Sequence, residues 1–405
     1  MVALRCNEVG TNDSIDDAVD DLAAATRRQD GLAAAGRAWA DDRRWPRGAR
    51  GYVAILLCKR AEQAALARLP REVRERMLPL IEAREAPLGK DGSPKRTFAQ
   101  QVQWNVESLA RGWGIEDEFL LDARTMVPRE AGPDGIVATE LLYEQAEKRG
   151  LRFVPVVGLE QKLRELAPAR GHLSRGVCFR VTRRYMNERL VRRLDLLLKR
   201  FKFQRPDVDL ILDYGTVDDV EPDGQETFLG DVRGVLRSLP HEGWRSLVLA
   251  MSSLPPMRGI KGARHVDRLE WWIWKQLRRS EPALQRMPTF ADYAIEGARA
   301  RSNAAPKFMR NAPPTIRYTY RDQLLIVRGT SAKDSPPQRQ YPGLARVHLV
   351  DTPYFAGRDH CDGCGDAYRC ARGRGNERDR TSWRRICAYH HLIYVVEQIR
   401  DLRGV

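Results

Sequence analysis

Lys59, Glu82, Asp122, Arg180 and Asp213 each stand where a short apolar run stops, in "YVAILLCK", "MLPLIE", "EFLLD", "GVCFR" and "VDLILD". Two cations and three carboxylates brought to one place could do acid–base chemistry on an anion. Lys59 and Arg180 would bind a group such as phosphate, the arginine through two parallel hydrogen bonds. Glu82 or Asp213 would move the proton. Opposite charges at close range shift one another's pKa values, as an active site requires. The oxygens of Glu82, Asp122 and Asp213 could instead hold a divalent metal. A salt-bridge network closing a cavity mouth would use the same residues. Tyr214, the Ser252–Ser253 pair, Asp292 and Tyr293 end further runs and complete this set of ligand-binding candidates.

For these side chains to meet, the runs that carry them must lie side by side. Eight such runs alternate with stretches of helical period between Tyr52 and Ile295. Continuous apolar runs suit strands covered on both faces, and strands separated by crossover helices are parallel. The size and repeat predict an α/β protein with a (β/α)8, TIM-barrel-like fold, whose C-terminal strand ends form the rim where chemistry is done. An open doubly wound sheet is the rival, but it would more often carry a glycine-rich phosphate turn. Neither GxGxxG nor GxxxxGK[ST] occurs, and Lys90 in "GKDG" lacks the P-loop spacing. The barrel is expected over 50–300, after a helical, partly disordered extension over 1–49 with Ser14 as a helix cap.

Residues 301–405 read as a C-terminal cap over the rim. "TIRYTYRDQLLIVRG" alternates and breaks like a β-hairpin, with Arg317, Thr319 and Arg321 on one face. Arg317 would suit phosphate contacts, and the tyrosines would offer stacking faces to bases. "GTSAKDSPPQRQYPG" reads as a loop. In "HCDGCGDAYRC", Cys361, Cys364 and Cys370 could join Cys387 in a structural four-thiolate zinc site, with His360 as a substitute ligand. Reduced thiols beside a loop are the alternative. "SWRRICAYHHL" opens a closing amphipathic helix with Trp383 and Arg384 near its start. Adjacent helical residues point about 100° apart, so of His390 and His391 one packs and the other reaches the rim as a catalytic group. The cap thus adds Arg317 and one histidine to the site.

The chain has 405 residues, 42% hydrophobic and 30% charged, with a net charge of +15 supplied mostly by arginine. That balance favours phosphate-bearing partners, nucleic acid above all. Solvated helix faces, as in "ERLVRRLDLLLKRF", would produce the same excess. No apolar run approaches bilayer length, and "MVALRCNEVGTNDSIDD" lacks the apolar core of a secretion signal, which predicts a cytoplasmic protein. The seven cysteines do not make a disulfide framework in a chain this long.

"YVAILLCKRAEQAAL", "PLIE", "VDLILDYG", "MSSLP", "FADYAI", "IRYTYRDQLLIVRG", "CGDAYRCA" and "SWRRICAYHHL", in that order, resemble the beta family proteins named after a bacteriophage protein. The chain departs from that pattern at Ala54, where the family usually has proline. It departs again at Lys59, which comes later than expected, and at Glu62, which lacks its glycine. The resemblance implies a barrel-like fold and a setting among phages, prophages and bacterial defence. It centres the "CGDAYRCA" stretch on Gly365–Asp366, which adds Asp366 to the site, and it implies no particular reaction. Two functions follow as expectations: an enzyme acting on a nucleotide or nucleic acid, or a non-catalytic nucleic-acid- or protein-binding component of a phage or defence complex.

Overall fold

The computed structural model describes residues 51–89, 91–126, 138–161, 166–240, 243–279, 284, 286–298 and 311–403. The expected N-terminal extension over 1–49 lies outside them.

All eight apolar runs form strands: β1 (Tyr52–Leu57), β2 (Leu80–Glu82), β3 (Phe119–Asp122), β4 (Phe153–Gly158), β5 (Val177–Thr182), β6 (Val208–Thr216), β7 (Ser246–Ser252) and β9 (Thr289–Asp292). They pair in parallel, in chain order, and β9 closes on β1 to complete the barrel. Period-2 alternation divides each strand between two cores. Val53, Ile55, Leu80, Leu120, Val154, Val156, Ile211, Val248 and Ala291 pack inside the ring. The intervening residues face an outer layer of helices. That layer includes α1 (Arg60–Leu66), α2 (Arg71–Arg74), α3 (Phe98–Gly112), α4 (Ala138–Lys148), α5 (Leu190–Phe201), α6 (Gln225–Ser238) and α7 (Leu269–Arg279). In α5 the leucines at 190, 194, 197 and 198 are buried, and Arg192, Lys199 and Arg200 stay in solvent. In α7, Trp271 and Trp274 stack at 5.4 Å in the core.

The C-terminal segment departs from the sequence reading in three ways. The hairpin β10 (Thr315–Tyr320) and β11 (Gln323–Arg328) forms as expected, but a third strand, β8 (Gly262–Asp267), pairs with β11. The small sheet therefore draws on chain from both sides of residue 300. The "loop" at 329–343 holds a helix, α8 (Pro337–Ala345), because Pro337 occupies a first-turn position where its missing N–H costs nothing. After α9 (Asp362–Ala371) comes the closing helix α10 (Arg380–Arg403), which packs on β10, α1 and α9. It is buried on several sides from Trp383 to Ile399, so it is a core helix and not an amphipathic one.

Candidate functional site

At the C-terminal end of the barrel lumen the inward phase of four strands reaches a charged residue. Glu82 closes β2, Asp122 closes β3, Arg180 lies in β5 and Asp213 in β6. A bulge between Asp213 and Gly215 turns the end of β6. Gly215 takes a φ of +67°, and its N–H donates to Asp213 Oδ1 at 2.9 Å, fixing that carboxylate.

Arg180 is the hub of this group. Its Nη1 donates to Glu82 Oε1 and to Asp122 Oδ2, both at 2.7 Å. Nε and Nη2 both reach Asp213 Oδ2, at 2.8 and 2.7 Å, and Nη2 also donates to Tyr293 Oη at 2.9 Å. Tyr293 in turn donates to Asp213 at 2.6 Å. All four charged side chains are at most 4% exposed. Arg124 grips Asp122 from its other side, Nη2 to Oδ2 at 2.8 Å, and also contacts Glu160. Burial alone would raise the Asp122 pKa, but Arg124 and Arg180 outweigh it and hold the carboxyl at about 2. Glu82, Asp122 and Asp213 do converge on a cation, and that cation is the Arg180 guanidinium.

A second cluster joins the barrel to the cap. Glu296, just beyond β9 and buried, receives Lys59 Nζ at 3.3 Å, Arg317 Nη1 at 3.1 Å and Arg384 Nε at 3.5 Å. Arg84 is also in electrostatic reach of Glu296, Lys59 and Arg384. Burial would raise the Glu296 pKa, yet Arg317, Lys59 and Arg384 hold it at about 2. Lys59 is shifted the other way, down from its ordinary value. Burial is the main cause, and Arg84 and Arg384 add to it against the pull of Glu296 and Glu62. Four cations thus surround two carboxylates, and the side chains of Lys59 and Arg384 are 23% and 33% exposed. An added anion would be attracted here.

The other expected site residues go elsewhere. Tyr214 faces outward and packs edge-on against Phe228 of α6. Ser252 Oγ accepts from the Leu254 N–H, and Ser253 donates to Glu270. Asp292 points outward, where it accepts from Tyr52 Oη at 2.6 Å and meets His391 Nε2 at 3.0 Å. Burial keeps His391 below its ordinary pKa and so neutral. Its Nε2–H then donates to Asp292 while Nδ1 accepts from Thr319 Oγ1 at 2.6 Å. His390 faces the small sheet, with Nε2 2.8 Å from the Thr319 carbonyl. Neither histidine joins the Arg180 group. Asp366 pairs with Arg385, Arg369 and Arg68. Trp383 stacks on Tyr341 and donates to the Glu377 carbonyl. The four cysteines do not converge. Cys361 and Cys364 lie together with His390, whereas Cys370 is beside Trp383 and Cys387 beside the Arg317 backbone.

Sequence reasoning missed Glu296, Arg84, Arg124 and Glu160. A signal was present for two of them. "IEAR" and "LDAR" repeat one phrase, a strand-end carboxylate followed two residues later by arginine, and period 2 keeps that arginine in the carboxylate's phase.

A family model described as Beta protein matches residues 52–397. No curated protein matches the chain.

Proposed function

The chain belongs to the Beta protein family, and on that footing we propose that it binds a phosphate-bearing ligand, a nucleotide or nucleic acid, at the C-terminal rim. The reading rests on one observation: Lys59, Arg84, Arg317 and Arg384 gather from the barrel and the cap around Glu296, with Lys59 and Arg384 reaching solvent. Arginine and lysine in that mixture give a fork for two phosphate oxygens and a mobile point charge for a third. The family setting of phage–host conflict suits a ligand of this class.

As an enzyme, the protein would use Glu82 or Asp213 for proton transfer beside the bound anion. The non-catalytic alternative, a component of a phage or defence complex, is favoured by the Arg180 geometry. All five guanidinium N–H groups face protein acceptors, so the innermost rim charges are engaged with each other.

The test is equilibrium binding of pyrophosphate, nucleotides and single-stranded oligonucleotides across a salt series. Lys59→Ala and Arg384→Ala should each weaken binding by roughly ten-fold, the scale of one charge-assisted contact. Charge reversal at the exposed Lys199 and Arg200 of α5 should change little. If the α5 reversals abolish oligonucleotide binding and the rim variants leave it intact, the rim assignment is wrong and the basic helix is the footprint.

A further inference from the structure

The loop before α9 carries a set of soft donors that the rim reading does not use. Cys361 Sγ and Cys364 Sγ lie 3.6 Å apart. His390 Nδ1, on α10, stands 3.3 Å from Cys364 Sγ and 3.7 Å from Cys361 Sγ. His360 closes the group, a ring nitrogen lying within 4.8 Å of both Cys361 Sγ and the His390 nitrogen. Its Nε2 is buried and has no hydrogen-bond partner among the described residues. Zinc bonds of about 2.3 Å to sulfur and about 2.0–2.1 Å to nitrogen, in tetrahedral array, put neighbouring ligand atoms roughly 3.4–3.8 Å apart. The three distances among Cys361, Cys364 and His390 fall close to those edges.

We propose that Cys361, Cys364, His390 and His360 form a structural zinc site that staples the α9 loop to α10 and the small sheet. The surroundings are those a metal centre needs. His390 Nε2 faces the Thr319 carbonyl at 2.8 Å, which makes Nε2 the protonated nitrogen and leaves the Nδ1 lone pair for the metal. Stacking on Tyr318 at 4.0 Å fixes the ring. Cys361 caps the start of α9, accepting the Cys364 N–H, and the positive helix terminus favours its thiolate. Tyr318 Oη lies 3.2 Å from Cys364 Sγ, and Glu397 lies 3.7 Å from His360 Nδ1, partners of the kind that orient ligands. Two thiolates with two imidazoles in tetrahedral array select zinc over the hard cations.

The full chain, purified without chelator, should hold stoichiometric zinc by elemental analysis. Cys361→Ser, Cys364→Ser and His390→Gln should each lose it, whereas Cys370→Ser and Cys387→Ser should keep it. Because a ligand variant can fail to fold, the wild-type chain exchanged with Co(II) gives a second readout. It should show the visible d–d bands and sulfur-to-metal charge transfer of a tetrahedral thiolate site. Wild-type protein that retains no zinc and shows no such bands overturns the proposal. So does a Cys361–Cys364 disulfide in a non-reducing peptide map, which would assign the pair to redox chemistry.

Discussion

Arg180→Met separates a mouth held shut by ion pairs from a mouth that merely contains charges. The side chain is buried, and its guanidinium is the shared partner of Glu82, Asp122 and Asp213. Methionine keeps much of the volume and removes the cation. Breaking a buried pair from one side costs about 3–5 kcal/mol, because the other charge is left uncompensated. Asp122 keeps Arg124, so the strain falls on Glu82 and Asp213, and about 4 kcal/mol is a fair expectation. At about 2.1 cal/mol/K per residue, a chain of 405 residues should lose roughly 5 °C in Tm. The pH dependence carries more information than the size. In the wild type, Asp122 and Glu296 are both held at about 2, below their unfolded values. Their contribution is therefore present above about pH 4 and lost as pH falls towards 2. In the variant, Glu82 and Asp213 would be buried without a cation, and burial favours the uncharged carboxyl. That stability deficit shrinks as pH falls, because the folded state now takes up protons first. Denaturant unfolding of both proteins from about pH 7.5 to 4.5 should show the gap narrowing. A variant within about 1 kcal/mol of wild type at pH 7.5, with a parallel profile, would refute the view that these charges close the barrel.

Glu296→Gln should leave Lys59, Arg84, Arg317 and Arg384 short of their counter-ion, lowering stability by about 2 kcal/mol while raising pyrophosphate affinity roughly three- to ten-fold. Calorimetric titration reads the affinity, and an unchanged value removes Glu296 as the stand-in for the ligand. His391 is neutral because burial depresses its pKa. Wild-type stability should therefore erode as pH falls below about 6.5, where only the unfolded chain takes the proton. His391→Gln should cost about 1–2 kcal/mol at pH 7.5 and less at pH 5.5. A gap that widens as pH falls would mean that His391 is charged in the fold, and a constant gap that its pKa is not depressed there.

The barrel was legible because a strand covered on both faces must be apolar throughout, and runs such as "YVAILLC" and "SLVLAMSS", in a set of eight with helical stretches between them, meet that demand. The charged ends of those runs were legible for the same reason, since a polar residue can enter the inward phase only where the lumen ends. What escaped the sequence lacks either signal. β8, "GARHVD", is mostly exposed and charged, and only its backbone pairing with β11 makes it a strand. Glu296 follows β9 by four residues, in an irregular turn where Ala294 takes a φ of +47° and no periodicity operates. Cys370 and Cys387 were grouped with Cys361 and Cys364 by proximity in sequence, but Cys370 lies near the far end of α9 from the helix cap. Cys387 shares a face of α10 with His390 but sits one turn earlier, beside the Arg317 backbone and not the two thiols.

The closing helix explains why these clusters hold one arrangement. α10 is apolar on most sides, and such a helix has no strong preference for one rotation about its axis. Four of its polar residues supply that preference. Arg384 meets Glu296, Arg385 meets Asp366, His390 meets the Thr319 carbonyl, and His391 meets Asp292. His390 and His391, about 100° apart, reach opposite neighbours, the small sheet and the barrel wall. Rotating the helix by one residue would part all four pairs and leave His390 and His391 buried without a partner, at about 1–3 kcal/mol apiece. The polar residues of α10 therefore fix its orientation, and with it the distances between Arg384 and Lys59 at the rim and between His390 and the two thiols.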